Sequence, residues 1–561
     1  MNSSLPGAGV SPKKKKTHNA HNMQPFTSLF EWLSACIGFL PPDFVRLLFM
    51  FFISYPLAYF YIKLPTVNSR HWYGILISFF YLCCIFDLYG GYLHVLASSL
   101  FTYVASKYLR HQGRLMPWIV TVVTMIHLVW LHAGRQFFYI VSPEVIEITG
   151  TSMVLVMKLS AYAWNVYDGT SKEELTPYQE EKKLSEIPPL LEYLGFVFYF
   201  PGLMVGPSIE YMDYRKFTDL SMFSADADKL VRKSETEEKE VSVNGKTQRI
   251  KIPNSKRTAA KSLLLGVFFF GIFGAFGPKF SYDQVLKSSW DDTSVFYRMM
   301  FIQLSGIISR CKFYGAWCLS EGSCILSGLG FNGFSKEGYP IFERCKNIDI
   351  YRIETADNIR NILDGWNKNT NRWLRQYIYL RVTPKGRKPG FISSQITFAM
   401  SALWHGLFPG YLLAFVGAGF GVFSAQLMRR YVRPLLLNSD GSGKGLKVVY
   451  DVIGTIATVS IINYLASSFM LLKFGPCVSL YWRVGLYGHI LILIPILFNL
   501  AGGFKYLSRS LGVRPQKSET TSEREKQKPV ENLPKLLSEP MFKNVSAPWQ
   551  NSPQLPTDKT E

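Results

Sequence analysis

LMPWIVTVVTMIHLVWLH, running from Leu115 to His132, decides the fold. It holds no Asp, Glu, Lys or Arg. As a helix rising about 1.5 Å per residue it spans roughly 27 Å, close to the ~30 Å hydrocarbon core of a bilayer. Comparable runs recur at 44–62, 72–91, 93–108, 150–167, 190–209, 261–280, 295–320, 392–407, 408–428, 446–472 and 483–503. Some are marginal: 93–108 is short, and 150–167 and 392–407 carry Lys158 and His405 among Ser, Trp and Asn. Such segments suit helices buried in a bundle or dipping partway in, where polar groups find partners. The pattern predicts an all-α polytopic membrane protein, with roughly eight convincing spans supplemented by partial and amphipathic interfacial helices.

The averages over all 561 residues conceal this. Hydrophobic residues make up 48%, charged residues 18%, and mean hydropathy is only +0.09. A soluble domain mixes about 25% charged residues along its length, whereas here apolar and charged residues sit in separate blocks. A soluble multidomain enzyme is excluded, and 15% aromatic residues exclude a disordered chain. Residues 1–40 form a polar segment with Lys13 to Lys16 in a row. No apolar run or cleavage site close behind them suggests a signal peptide, so they read as a solvated tail or a weak contact to anionic lipid. The membrane-embedded domain covers 41–505, interrupted by an extramembrane polar loop at 213–260. The Pro-, Ser- and Lys-rich tail 506–561 lacks apolar periodicity and is expected to be disordered. Lys plus Arg number 61 against 40 Asp plus Glu, a formal charge of +21. No nucleic-acid-binding module accompanies that charge, so no nucleic-acid partner is expected. Residues 333–391 alone hold twelve Lys/Arg against six Asp/Glu. None of the eight cysteines forms a C-x2-C pair, and most lie in apolar runs, so neither zinc nor a disulfide framework is expected.

Histidines at depth are the first place to look for chemistry. His127 and His132 share an apolar helix with no nearby acid to complete a metal set, and read as packed core histidines. His94, His111 and His489 fall near span ends. His405 differs. It lies in Ser401-Ala402-Leu403-Trp404-His405-Gly406-Leu407-Phe408-Pro409-Gly410-Tyr411, where two glycines and a proline suggest a helix break. An imidazole at that depth needs a partner or a water-filled cavity, and the break favours function over packing.

A second constellation lies upstream: Glu354-Thr355-Ala356-Asp357-Asn358, Asp364-Gly365-Trp366-Asn367, Thr370, Trp373-Leu374-Arg375 and Tyr377 to Arg381. Trp366, Trp373, Tyr377 and Leu380 recur at helical spacing and predict one aromatic face of a helix lying at the membrane interface. Snorkelling accounts for Arg372 and Arg375 on such a helix. It leaves Asn367 unexplained.

Trp366-Asn367, Thr370 and Trp373-Leu374, followed by Trp404-His405-Gly406 with His405 38 positions after Asn367, resemble the membrane-bound O-acyltransferase family. Ala163-Trp164-Asn165-Val166-Tyr167-Asp168-Gly169, Gly206-Pro207-Ser208-Ile209-Glu210-Tyr211 and Glu354 to Asn358 make the chain similar to its fungal lysophospholipid acyltransferase branch. The resemblance covers about residues 40–505. It implies about eleven membrane helices around a central catalytic cavity, location in the endoplasmic reticulum membrane, and lysophospholipid and acyl-CoA as substrates. It carries the family's histidine onto His405 and its second catalytic polar residue onto Asn367. Sterol, diacylglycerol and protein acyltransferases share the histidine, so the acceptor stays open.

The residue types fit that chemistry. A thioester is already activated, so the enzyme must make a hydroxyl nucleophilic and hold two substrates together. A neutral His405 suits a general base, a role worth typically 10²–10⁴-fold. The Asn367 amide suits orienting the hydroxyl or donating to the oxyanion. No G-x-S-x-G elbow occurs and no cysteine is flanked by a base, which favours direct transfer without a covalent intermediate or resident cofactor. No H-x4-D motif occurs either, since Ser99 follows His94 and His132 follows His127 at the fifth position. Lys368, Arg372, Arg375, Arg381, Lys385, Arg387 and Lys388 are the natural supply of cations for CoA phosphates, with interfacial snorkelling the alternative for each arginine. Asp168, Glu210 and Glu354 read as buried acids that pair either with an arginine or with a lipid head group. Trp366, Thr370, Trp373, Trp404 and Asn358 complete the expected substrate-binding set. A transporter with a broken helix at Trp404 to Tyr411 is the reading from another class, and the absence of an internal repeat speaks against it.

Overall fold

The structure is a computed structural model describing residues 25–38, 40–138, 145–223, 236–243, 246–335, 338–383, 390–438 and 445–512. Residues 1–24 with Lys13 to Lys16, the tail beyond Gly512, and Lys385, Arg387 and Lys388 lie outside the described residues, whereas Pro25–Ile37 of the expected N-terminal segment is a helix. Helices that carry the argument are α1 (Pro42–Tyr61), α2 (Tyr89–Tyr108), α3 (Leu115–Ala133), α4 (Ile148–Thr170), α5 (Lys256–Phe276) and α6 (Val295–Ser327). They continue with α7 (Ile359–Gly365), α8 (Lys368–Trp373), α9 (Phe391–His405), α10 (Pro409–Tyr431), α11 (Leu446–Leu471), α12 (Phe474–Arg483) and α13 (Tyr487–Leu500).

Five helices among the described residues are long and apolar enough to cross a membrane: α1, α3 with its continuation to Phe138, α5, α10 and α11. The pair α12–α13 passes the same test only when taken together, as a broken span or a re-entrant loop bent by 81°. Leu486 at φ +53° and Gly485 at φ +69° turn the chain there, so within the expected span 483–503 the straight helix is the 14 residues of α13. The expected span 190–209 is not one helix either: Leu190–Val197 is helical, and the chain then turns through Phe200–Gly202. The expected span 93–108 grows to the 20 residues of α2. Among the described residues the one sheet is an antiparallel hairpin, Thr236–Val243 paired with Lys246–Pro253, within the expected extramembrane loop.

Two packing facts position the site. First, α4 buries its side chains almost all round from Ile148 to Asp168, as a helix inside a bundle does. Its polar residues are satisfied internally: Lys158 Nζ donates to the carbonyls of Phe196 (2.5 Å) and Val197 (2.9 Å) and lies over the Phe196 ring. Second, the chain breaks between α9 and α10. Gly406 takes φ +135° and ψ −173°, a conformation that a residue with a Cβ rarely adopts. Pro409 then stands at the start of α10, where its missing N–H costs nothing. His405 is thereby the last residue of α9, at the mouth of the break.

Candidate active site

Two aromatic residues anchor the His405 turn to α4. Trp404 Nε1 donates to the Met153 carbonyl (2.8 Å), and Trp373 Nε1, on α8, donates to Ser160 Oγ (2.8 Å). The two indoles lie against each other with centroids 6.2 Å apart. Residue 405 then projects into a box of rings: Trp404 at 4.6 Å, Phe415 stacked at 5.0 Å, Phe469 edge-on at 5.0 Å and Tyr411 at 5.6 Å. Among the described residues no hydrogen bond occupies the His405 ring nitrogens. A cavity of about 310 Å³ opens beside the ring, bounded by His132, Arg135, Glu147, Thr149, Met153 and Tyr411. Its rim is polar, since Arg135 pairs with Glu147 (3.1 Å) and Thr149 Oγ1 donates to the same carboxylate (2.9 Å).

His132, read from the sequence as a packed core histidine, is part of this cavity. Its Nε2–H donates to the Trp404 carbonyl at 3.2 Å, and this contact sets the tautomer. A Cβ placed on Gly406 would lie 3.4 Å from His132 Nδ1 and 3.2 Å from the Tyr411 ring. The glycine therefore serves both the backbone turn and the close approach of these two side chains. No local signal in the sequence ties His132 to a carbonyl 272 positions away.

Asn367 sits where α7 gives way to α8. Its backbone is left-handed, φ +42° and ψ +56°, which asparagine tolerates better than other side-chain-bearing residues. Asn347 holds the start of α8: its carbonyl accepts from Lys368 N (2.8 Å), and its Oδ1 accepts from Asn369 N (3.1 Å) and Nδ2 (3.2 Å). From there α8, a wide turn over Leu374–Tyr379 and the turn Leu380–Val382 run parallel to α4 in near-constant register. Thr370 meets Met157, Trp373 meets Ser160, Tyr377 meets Asn165 and Arg381 meets Asp168, at separations of 213, 213, 212 and 213 residues. The register begins at Thr370, and Asn367 lies just ahead of it at the start of α8. Asn367 is not itself among the residues lining the His405 cavity.

The expected interfacial stripe needs correcting. Trp373 and Tyr377 are buried against α4, and Arg381 is buried with them. Arg381 does not snorkel: it grips Asp168 with two nitrogens at 2.8 and 2.6 Å and stacks 4.3 Å over Trp164. Trp366 does not continue the stripe, because the chain turns at Asn367; its ring packs on Trp317 (5.1 Å) and Phe313 (5.5 Å).

The other expected site residues have protein partners. Glu354 takes two nitrogens of Arg310 (2.9 and 2.7 Å) and the Tyr314 hydroxyl (2.6 Å). Glu210 accepts from Tyr178, Tyr377 and Asn165 at 2.8, 2.9 and 3.1 Å. Asn358 caps α7, its Oδ1 accepting from Asn361 N at 3.0 Å. Arg375 is half-buried beside Tyr379. Among the described residues no three His, Cys, Asp or Glu side chains are placed to hold a metal ion.

The family model described as MBOAT, membrane-bound O-acyltransferase family, matches residues 137–467, a segment that contains α4, Asn367, His405 and most of α11. The chain is similar to a lysophospholipid acyltransferase of Schizosaccharomyces pombe, 39% identical over 84% of this chain and 89% of that protein. It is similar to one of Saccharomyces cerevisiae at 34% identity over 78% of this chain and 71% of that one. Lysophospholipid acyltransferase 5 of Homo sapiens matches at 26% identity over 84% and 91%. Taken with the helical membrane architecture, these matches place the chain in the membrane-bound O-acyltransferase family.

Proposed function

We propose that this protein moves a fatty acyl group from acyl-CoA to the free hydroxyl of a lysophospholipid in the endoplasmic reticulum membrane. The observation that carries the reading is His405 at the break between α9 and α10, its ring nitrogens open to a walled cavity. The names of the fungal relatives support the acceptor.

In this reading the acceptor hydroxyl gives its proton to a His405 ring nitrogen as the oxygen attacks the thioester carbonyl. An ester C–O bond forms, and the tetrahedral oxyanion receives the Asn367 amide N–H. Collapse breaks the C–S bond, and the His405 proton passes to the departing CoA sulfur. The aromatic box keeps the imidazole in place and limits competing hydrolysis of the thioester by water. His132 holds the Trp404 carbonyl that precedes His405, so its role is positioning. Arg381, tied to Asp168, positions α8 in this scheme, and phosphate contacts fall to the other cations that follow Asn367, among them Lys368, Arg372 and Arg375.

The test is lysolipid-dependent release of free CoA by purified protein, wild type against His405→Ala, with a panel of acceptors. The expected result is release with lysophospholipid and none from the variant. Release by a folded His405→Ala would overturn the mechanism, and release only with a sterol or diacylglycerol would overturn the acceptor.

A further inference from the structure

A second cavity, of about 430 Å³ and sharing no lining residue with the His405 cavity, runs between α7, α10, α11 and α13. That volume falls in the range of small-molecule sites, about 300–1,000 Å³. Its two ends differ in chemistry. The floor is apolar: Ile359 presses so closely on α10 that a Cβ at Gly421 would lie 2.8 Å from its Cδ1, and Ala457 and Ile461 continue the wall. The mouth carries Arg360, Arg429, Arg433 and Lys447 against Asp357 and Asp451. Lys447 is already paired with Asp451 at 2.5 Å, and Asp357 accepts from the amides of Asn358 and Asn361. Among the described residues neither the Arg360 nor the Arg433 side chain makes a hydrogen bond or ion pair. The balance of formal charge at the mouth is +2, on groups able to grip a phosphate.

The cavity also opens sideways. Ile453 of α11 and Ile494 of α13 line it and are about 60% exposed on the apolar outer face of two membrane helices. A ligand can therefore enter chain-first from the hydrocarbon, with its head group reaching the arginines at the membrane surface.

We propose that this groove is a binding site for an anionic phospholipid, the phosphate held by Arg360 and Arg433 and one acyl chain lying along Ala457 and Ile461. The net positive mouth selects an anionic head group over a zwitterionic one, and the lateral opening selects a bilayer lipid over a water-soluble anion. The site is independent of the reaction proposed for His405.

The test uses the full chain in phosphatidylcholine nanodiscs with a phosphatidic acid carrying a diazirine in one acyl chain. Photolabelling is expected on peptides covering 453–461 and 491–495, displaced by unlabelled phosphatidic acid. Arg360→Gln with Arg433→Gln should reduce it about tenfold, the size expected for losing charge-assisted contacts to one phosphate. Arg360→Lys with Arg433→Lys should retain most of it. Ala457→Phe, which fills the floor and leaves the charges in place, should also reduce it. Equal labelling by a diazirine phosphatidylcholine, or labelling indifferent to the Gln pair and to Ala457→Phe, would overturn the proposal. So would displacement by long-chain acyl-CoA and not by phosphatidic acid, which would assign the groove to the acyl donor. Labelling retained in His405→Ala keeps this result separate from that of the transfer assay.

Discussion

Arg381 and Asp168 close a two-pronged ion pair at 2.8 and 2.6 Å, with Arg381 8% and Asp168 2% exposed, at the last rung of the α4–α8 register. Removing one member of such a pair leaves the other charge buried and unpaired, at a cost of about 3–5 kcal/mol. Asp168→Ala or Arg381→Ala should therefore lower the thermal midpoint in detergent sharply. Exchanging both for apolar residues, Asp168→Leu with Arg381→Met, should recover most of the loss. A double variant as unstable as either single would show that the pair contributes more than the avoidance of a stranded charge.

His132 bears on the reaction by a separate route. Its Nε2–H holds the carbonyl that precedes His405, and a displacement of about 1 Å in a reacting group costs roughly 10²-fold in rate. His132→Ala should lower kcat by about 10- to 100-fold with KM little changed. His132→Gln, which keeps an N–H donor, should recover part of that. A His132→Ala enzyme with normal kcat would remove the positioning role.

Asn367 combines a backbone requirement with a proposed chemical one, and three variants separate them. Alanine in the left-handed conformation costs roughly 1–2 kcal/mol, whereas glycine adopts it freely. Asn367→Ala should lose both stability and rate; Asn367→Gly should keep most of its stability and still lose about 10²–10³ in kcat if the amide meets the oxyanion. A Gly variant with full kcat would reduce Asn367 to a turn residue. Asn367→Asp keeps the backbone preference and removes the N–H donor, so it should follow Gly in rate.

What could be read from the chain follows from the range of the interactions involved. Apolar runs at 44–62, 115–132, 408–428 and 446–472 correspond to α1, α3, α10 and α11 within a few residues, because the cost of unsatisfied backbone in a bilayer is written locally. The break after His405 was legible for the same reason, in Gly406 and Pro409. The stripe through Trp373 and Tyr377 was also visible, but periodicity identifies a face and not what covers it. The covering element is α4, 213 residues away, and the bilayer does not touch that face. Asp168 was readable as a buried acid and Glu354, a third exposed, only as a paired one, while their partners Arg310 and Arg381 emerge only from the packing of distant helices.

Acid sensitivity should arise outside the membrane helices, at Asp213 in the short helix Tyr211–Thr218. Burial alone would raise its carboxyl, yet Lys182 at 2.8 Å and Arg344 outweigh that and hold it below the ordinary value of 3.8. For a carboxylate with a depressed folded value, the stabilisation is fully present above the unfolded value and is lost as pH falls through the folded one. The wild type should therefore lose stability progressively below about pH 4. Asp213→Asn should be less stable at neutral pH, because it removes the buried carboxylate that Lys182 and Arg344 share, and flatter across the acid range. Thermal unfolding in detergent from about pH 7 down to pH 3 measures both. Because Arg344 also donates from its Nε to the Phe331 carbonyl at 2.8 Å, the acid transition should loosen the segment after α6. Limited proteolysis near Gly333 should then accelerate at low pH in the wild type and be fast at every pH in Asp213→Asn. Parallel pH profiles for the two proteins would place the acid-sensitive group elsewhere.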